Sequence, residues 1–222
     1  MIPEDRLLPA MKNRLFIFDM DGTLLVQTTA CLEIAKVTGT LDQLHTLESS
    51  FADGQIDAFR FAQEIAALWG IIDKQCIRKA FETSPKLKNI RSVTSLINRG
   101  GGKSCLITMS PNFFADHFYE FGFDFIEASR FPECSASEVI REQILTPQDK
   151  AVIARRLCNE LGFELKNCVA FGDSMSDYLL FKELQHTVSV NGDPTLRRLA
   201  RYQYNGTDLQ DALLSVCGEI LR

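Results

Sequence analysis

Leu15-Phe16-Ile17-Phe18-Asp19-Met20-Asp21-Gly22-Thr23 decides the fold. Four apolar residues in a row end abruptly in two carboxylates, a glycine and a hydroxyl. An unbroken apolar run of this length, rather than an alternating one, suits a strand buried on both faces of a parallel sheet. Two other runs share the design. Cys105-Leu106-Ile107 stops at Thr108-Met109-Ser110-Pro111, and Cys168-Val169-Ala170-Phe171 stops at Gly172-Asp173-Ser174. A further strand, Thr187-Val188-Ser189-Val190, ends at Asn191-Gly192-Asp193-Pro194. Helical patterns at 90–98 and 149–161 lie between the runs. In the second, Val152, Ile153, Leu157 and Leu161 have the spacing of a helix laid on a sheet. Strand–helix alternation with polar residues at strand C-terminal ends predicts an open, doubly wound α/β sheet. Such sheets bind ligands in the crevice outside those ends.

The expected class is therefore a Rossmann-like parallel core, with one interruption. Between residues 27 and 85 no strand-like run occurs. Two or three amphipathic helices are expected there, in TTACLEIAKVTG, DAFRFAQEIAALWG and DKQCIRKAFE, closed by Gly39, Gly54 and Gly70. This reads as a small α-helical cap (27–85) inserted into a core built from 14–26 and 86–222. Residues 1–13 read as an N-terminal tail. The aromatic stripe Phe51, Phe59, Phe61 and Trp69 has helical spacing and reads as core before pocket lining. Gly100-Gly101-Gly102-Lys103-Ser104 imitates the end of a phosphate-binding loop. Ile97 stands where that loop needs glycine, however, and the run precedes a strand, so a helix-to-strand turn is expected.

Composition narrows the function classes. The 222 residues are 45% hydrophobic and 24% charged, which excludes wholesale disorder. A net charge of −5 makes nucleic-acid backbone a poor partner, and no segment reads as a membrane span or signal peptide. The seven cysteines, at 31, 76, 105, 134, 158, 168 and 217, form no CxxC pair. With only three histidines a zinc site is not expected; scattered thiols fit a reducing cytoplasm.

The chemistry-bearing residues sit where the predicted strands end. Asp19 and Asp21 are two apart, so in an extended segment both carboxylates reach one site and call for a cation or a shared proton. Asp173 and Asp177 follow another strand. Oxygen ligands gathered at strand ends favour a hard ion, Mg²⁺ above others. Thr108 offers a hydroxyl, Met109 the following backbone N–H, and Lys150 a positive charge at a helix start. Together these groups make a receptacle for a phosphoryl group.

FDMDGTLL, then LITMS, then Lys150, then GDSMSD resembles the four motifs of the haloacid dehalogenase superfamily of aspartate-nucleophile phosphatases. The resemblance spans about residues 14–215, and the helical insertion resembles the small cap of the phosphoserine-phosphatase-like branch. It implies Asp19 as nucleophile and Asp21 as general acid and base. It implies Mg²⁺ on Asp19, the Asp21 carbonyl and Asp173, supported by Asp177. Thr108, Met109 and Lys150 would hold the phosphoryl oxygens, with Ser110, Ser176, Gly22 and Thr23 in supporting places. Thr108 is preferred to Ser110 because it ends the apolar run and because Pro111, after Ser110, has no N–H to donate. A carboxylate at Asp21 argues for phosphate esters over haloalkanoates, whose leaving halide needs no proton. The branch grips its zwitterionic substrate with a Glu and an Arg, and those positions fall here on Thr28 and Gln63, with Arg60 one turn away. The expected activity is thus hydrolysis of a small phosphorylated metabolite through an aspartyl-phosphate, without selectivity for phosphoserine. Phosphoryl transfer, a mutase reaction and phosphoserine hydrolysis proper remain the alternatives.

Overall fold

The structure, a computed structural model, describes residues 4–132 and 138–220; Cys134 lies outside them. The elements run α1 (Glu4–Met11), β1 (Leu15–Phe18), α2 (Ala30–Thr38), α3 (Leu41–Ala52), α4 (Ala58–Trp69), α5 (Lys74–Thr83), α6 (Ile90–Arg99) and β2 (Lys103–Pro111). They continue with α7 (Asn112–Ala115), β3 (Phe125–Ser129), α8 (Pro147–Leu161), β4 (Val169–Gly172), α9 (Tyr178–Glu183), β5 (His186–Val190), α10 (Pro194–Leu199), β6 (Tyr202–Tyr204) and α11 (Leu209–Ile220).

The six strands form one parallel sheet in the order β3-β2-β1-β4-β5-β6. The chain leaves central β1 on one side through β2 and β3, then returns to its other side at β4. The strand order reverses there, and the crevice opens beyond the carboxyl ends of β1 and β4. Asp19 follows β1 and Asp173 follows β4, so one reversal brings both carboxylates to one place.

Period-two alternation explains why β1 is apolar throughout. Phe16 and Phe18 join the layer of α1, α6 and α11; Leu15 and Ile17 join the layer of α8, α9 and α10. All four are buried, and each such side chain contributes about 1.5–3 kcal/mol of transfer free energy. On α8 the buried face is Ala151, Ile153, Ala154, Leu157 and Cys158, whereas Val152 is exposed, so the face is narrower than its apolar spacing predicted. The thiols of Cys158 and Cys168 meet in this layer, 3.0 Å apart.

Four elements depart from the sequence reading. The stretch read as a tail carries α1, whose Leu7, Ala10 and Met11 are buried. It packs on the glycine turn after α6: a Cβ on Gly100 would stand 2.5 Å from Met11 Cβ, so only glycine admits the helix. The segment 27–85 holds four helices, α2 to α5, the additional one being α3, which buries only Leu44. Cys31, Ala35, Leu44 and Ile65 make a small separate core there. Finally, β3 and β6 form the two sheet edges. No helix among the described residues is long and apolar enough to cross a membrane.

Candidate active site

Asp19 N–H donates to the Phe171 carbonyl at 2.9 Å, carrying the β1–β4 pairing one residue past the strand. The chain then turns through Met20–Leu24, closed by Leu25 N–H on the Met20 carbonyl at 2.8 Å. Gly22 makes the turn possible in two ways. Its φ is +73°, and a Cβ would stand 2.1 Å from Asp173 Oδ2. The turn aims Asp21 at the start of α2, where Oδ1 accepts the Ala30 N–H at 2.7 Å. Asp21 Oδ2 accepts the Ser110 hydroxyl at 2.5 Å and the Thr108 hydroxyl at 3.4 Å. Ser110 N–H in turn donates to Thr108 Oγ1 at 3.1 Å.

Lys150 arrives from below. Asp149 fixes the start of α8 by accepting from the Thr146 N–H and hydroxyl at 2.7 and 2.6 Å, which places Lys150 in the first turn. Its ammonium is buried and donates to Asp19 Oδ1 at 2.7 Å, Asp177 Oδ1 at 2.7 Å and Ser176 Oγ at 3.1 Å. Asp177 Oδ2 accepts the Asp173 N–H at 3.1 Å. All three protons of the lysine are thereby committed.

The charge does not balance. Carboxylate oxygens of Asp19, Asp173 and Asp177 lie within 4.8 Å of one another, with Lys150 the one cation bonded to them among the described residues. Three carboxylates against one ammonium leave two negative charges in a desolvated place. Burial, reinforced by Asp19 and Asp177, pushes the Asp173 carboxyl up to about 9. Burial and Asp19 push Asp177 up to about 6 against the pull of Lys150. Burial also raises Asp19 and Asp21. Burial by itself would lower Lys150, but Asp177 and Asp19 outweigh it and raise it. Asp173 Oδ1 is buried and has no hydrogen-bond partner. An orphaned carboxylate oxygen and a charge deficit of two fit a hard divalent cation with oxygen ligands.

The structure thus brings together Asp19, Asp21, Asp173, Asp177, Lys150, Ser176, Thr108 and Ser110. Thr23 is buried nearby with its hydroxyl unpartnered. A cavity of about 210 Å³ opens from Asp21 and Ser110 between α2, α3, α4, the end of β2 and the chain after β3; Glu48, Phe51, Phe61, Met109 and Phe131 line it. Of the aromatic stripe expected in the core, Phe51 and Phe61 face this cavity. Phe59 lies under the Arg141 guanidinium at 4.0 Å, and Trp69 donates to Thr40 Oγ1 at 3.0 Å. The structure does not bring the three expected specificity positions to this cavity. Thr28 is buried with its hydroxyl on Glu33 Oε1 at 2.6 Å, Arg60 is exposed and paired with Glu64, and Gln63 lines a different depression beside Trp69. Sequence reasoning missed Glu48 and Phe131, which lie on α3 and after β3 and carry no motif.

The family model described as haloacid dehalogenase-like hydrolase matches residues 16–182 of the chain. A phosphoserine phosphatase of Idiomarina loihiensis is 25% identical over 205 residues, covering 90% of this chain and 91% of that protein. Among solved structures, a HAD family hydrolase of Salmonella enterica serovar Typhi superposes with a TM-score of 0.81 at 17% identity, over 92% of this chain and 71% of that one. A phospho-aspartyl intermediate analogue of phosphoserine phosphatase superposes with a TM-score of 0.74 at 19% identity, over 92% and 99%.

Proposed function

The chain belongs to the haloacid dehalogenase-like hydrolases, and we propose that it hydrolyses a small phosphate monoester through an aspartyl-phosphate on Asp19. The observation that carries this reading is the convergence of Asp19, Asp173 and Asp177 around Lys150, with Asp21 beside them under two hydroxyls. Relatives named phosphoserine phosphatase support the reaction class. Residues 14–26 and 86–222 serve as the catalytic core and 27–85 as its cap.

The Asp19 carboxylate, oriented through Oδ1 by Lys150, attacks phosphorus. As the Asp19 O–P bond forms, the ester P–O bond breaks, and Asp21 passes its proton to the departing alkoxide. A raised carboxyl pKa suits that donor, and Ser110 and the Ala30 N–H hold it in place. Water then attacks the same phosphorus and gives a proton back to Asp21. The Asp19 O–P bond breaks, and inorganic phosphate leaves. The Thr108 hydroxyl and the Met109 N–H steady the phosphoryl oxygens, and Lys150 joins them by exchanging its bond to Ser176 for one to the phosphoryl group. Asp19, Asp173 and the Asp21 carbonyl would hold Mg²⁺, with Asp177 in support; the bound ion draws charge from the phosphoryl oxygens and lets a carboxylate approach an anion.

Free phosphoserine is not the preferred substrate in this reading. Thr28 and Gln63 are uncharged, and no Lys or Arg is among the described residues lining the cavity at Asp21. Phosphate release from a panel of phosphomonoesters, with Mg²⁺ and with chelator, tests the reading. Mg²⁺-dependent release of free phosphate is expected. Transfer of the phosphoryl group to an alcohol without free phosphate would overturn hydrolysis, and activity surviving chelation would overturn the metal.

A further inference from the structure

The cavity at Asp21 receives whatever departs from phosphorus, because Asp21 forms part of its wall and donates the proton to the leaving oxygen. Its chemistry therefore bears on the alcohol half of the substrate, and the argument rests on the phosphatase reading above. At about 210 Å³ it is smaller than the ~300–1,000 Å³ of drug-sized ligand sites, so it suits a small alcohol.

The lining is mostly aromatic and aliphatic. The rings of Phe51 and Phe61 are 5.3 Å apart, with Phe131 and Met109 also on the wall. Two carboxylates, Asp21 and Glu48, are the charged groups among the described lining residues. The neighbouring cations are engaged elsewhere. Arg60 pairs with Glu64, Arg141 pairs with Asp57 at 3.1 Å, and Lys36 pairs with Glu33 at 2.5 Å. Among the described residues the Glu48 carboxylate pairs with His45, at 3.4 Å, and His45 lies mostly in solvent. The Cys31 thiol, also on the wall, is raised by burial and by both carboxylates, so it stays neutral and offers the cavity no charge of its own.

A carboxylate on the leaving alcohol would meet two anions and no cation among the described lining residues. An ammonium would meet Glu48 and the aromatic side chains of Phe51, Phe61 and Phe131, surroundings that attract cations. We propose that Glu48, Phe51, Phe61 and Phe131 form a cation-accepting leaving-group pocket, and that the substrate is the phosphate monoester of a small amino or quaternary-ammonium alcohol without a carboxylate.

The test compares kcat/KM for phosphoethanolamine, phosphocholine, phosphoserine and 4-nitrophenyl phosphate with Mg²⁺ present. One of the two carboxylate-free ammonium esters is expected to exceed phosphoserine by about tenfold or more, the scale of one charge contact out of bulk water. In Glu48→Gln, the ratio of that ester to 4-nitrophenyl phosphate should fall by about tenfold. Phe61→Leu, which keeps the volume apolar but removes a ring, should lower the same ratio by a smaller factor. Phosphoserine matching or exceeding both ammonium esters would overturn the proposal, as would a ratio unmoved by Glu48→Gln. No phosphate release from any ester, 4-nitrophenyl phosphate included, would instead overturn the phosphatase reading and the pocket's role with it.

Discussion

The strand-end floor and the helical wall above it are built on opposite principles. On the floor, carboxylates of Asp19, Asp173 and Asp177 and the ammonium of Lys150 are crowded together out of solvent, and backbone N–H groups and hydroxyls fix Asp21 beside them. On the wall, apolar side chains from α2, α3 and α4 surround a cavity carrying a single further charge, Glu48. Charge concentrated where bonds break acts on every phosphate ester alike. A sparse, mostly apolar wall acts only on what a given ester carries. The division teaches where each kind of change should register: floor substitutions in the rate of all substrates, wall substitutions in the ratio between them.

The largest effect should come from Asp19→Asn. It keeps shape and most hydrogen bonding while removing the proposed nucleophile, so kcat should fall by about 10³-fold or more for every ester tested. A selective loss for one ester would break the division. Lys150→Met comes next. It leaves Asp19 and Asp177 buried without their partner, and metal-free stability should drop by about 3–5 kcal/mol in chemical denaturation. Saturating Mg²⁺ should recover part of this loss, because a ligand that binds only the folded state stabilises it. An Mg²⁺-independent loss would mean that the cluster does not hold the ion.

The same division explains what could be read before any coordinates. Asp19, Asp21, Thr108, Lys150 and Asp173 are legible because each follows an apolar run or opens a helix, and a parallel sheet sends such termini to one side. The edge strands were not legible. Phe125–Ser129 is mostly half-buried, with neither an unbroken apolar run nor a clean alternation, and Tyr202–Tyr204 alternates over three residues, too short to read as a strand. The α1 helix was hidden by Pro3, Pro9 and two acidic residues, and its buried face becomes evident only against the glycine turn it covers. For α3 the obstacle was polarity, since LDQLHTLESSFA buries one leucine. The cavity is hardest of all. Glu48 and Phe131 are far apart in sequence and meet only because the chain after β3 passes over α3 and α4.

The small helical core supplies a third way to sharpen the contrast. Ile65 is fully buried among Cys31, Ala35 and Leu44, so Ile65→Ala should destabilise by about 2–5 kcal/mol. The expected functional result is a changed ratio between bulky and small esters, read from kcat/KM, with kcat for 4-nitrophenyl phosphate falling far less than in Asp19→Asn. A loss of the chemical step as deep as that of Asp19→Asn would show that floor and wall are not separable.

Ser110→Ala should have the smallest effect and is the sharpest probe of the boundary. Ser110 lines the cavity, yet its hydroxyl donates to Asp21 Oδ2, so it belongs to both regions. A hydrogen bond of this kind contributes about 0.5–1.5 kcal/mol, and Thr108 already approaches the same oxygen at 3.4 Å and can close in when Ser110 is gone. The net loss should therefore be about 1 kcal/mol, a fall in kcat/KM of roughly fivefold. If Ser110 acts on the floor, that fall is equal for all esters, because Asp21 serves each of them. A fall confined to one ester would place Ser110 on the wall and leave the orientation of Asp21 to Thr108 and the Ala30 N–H alone.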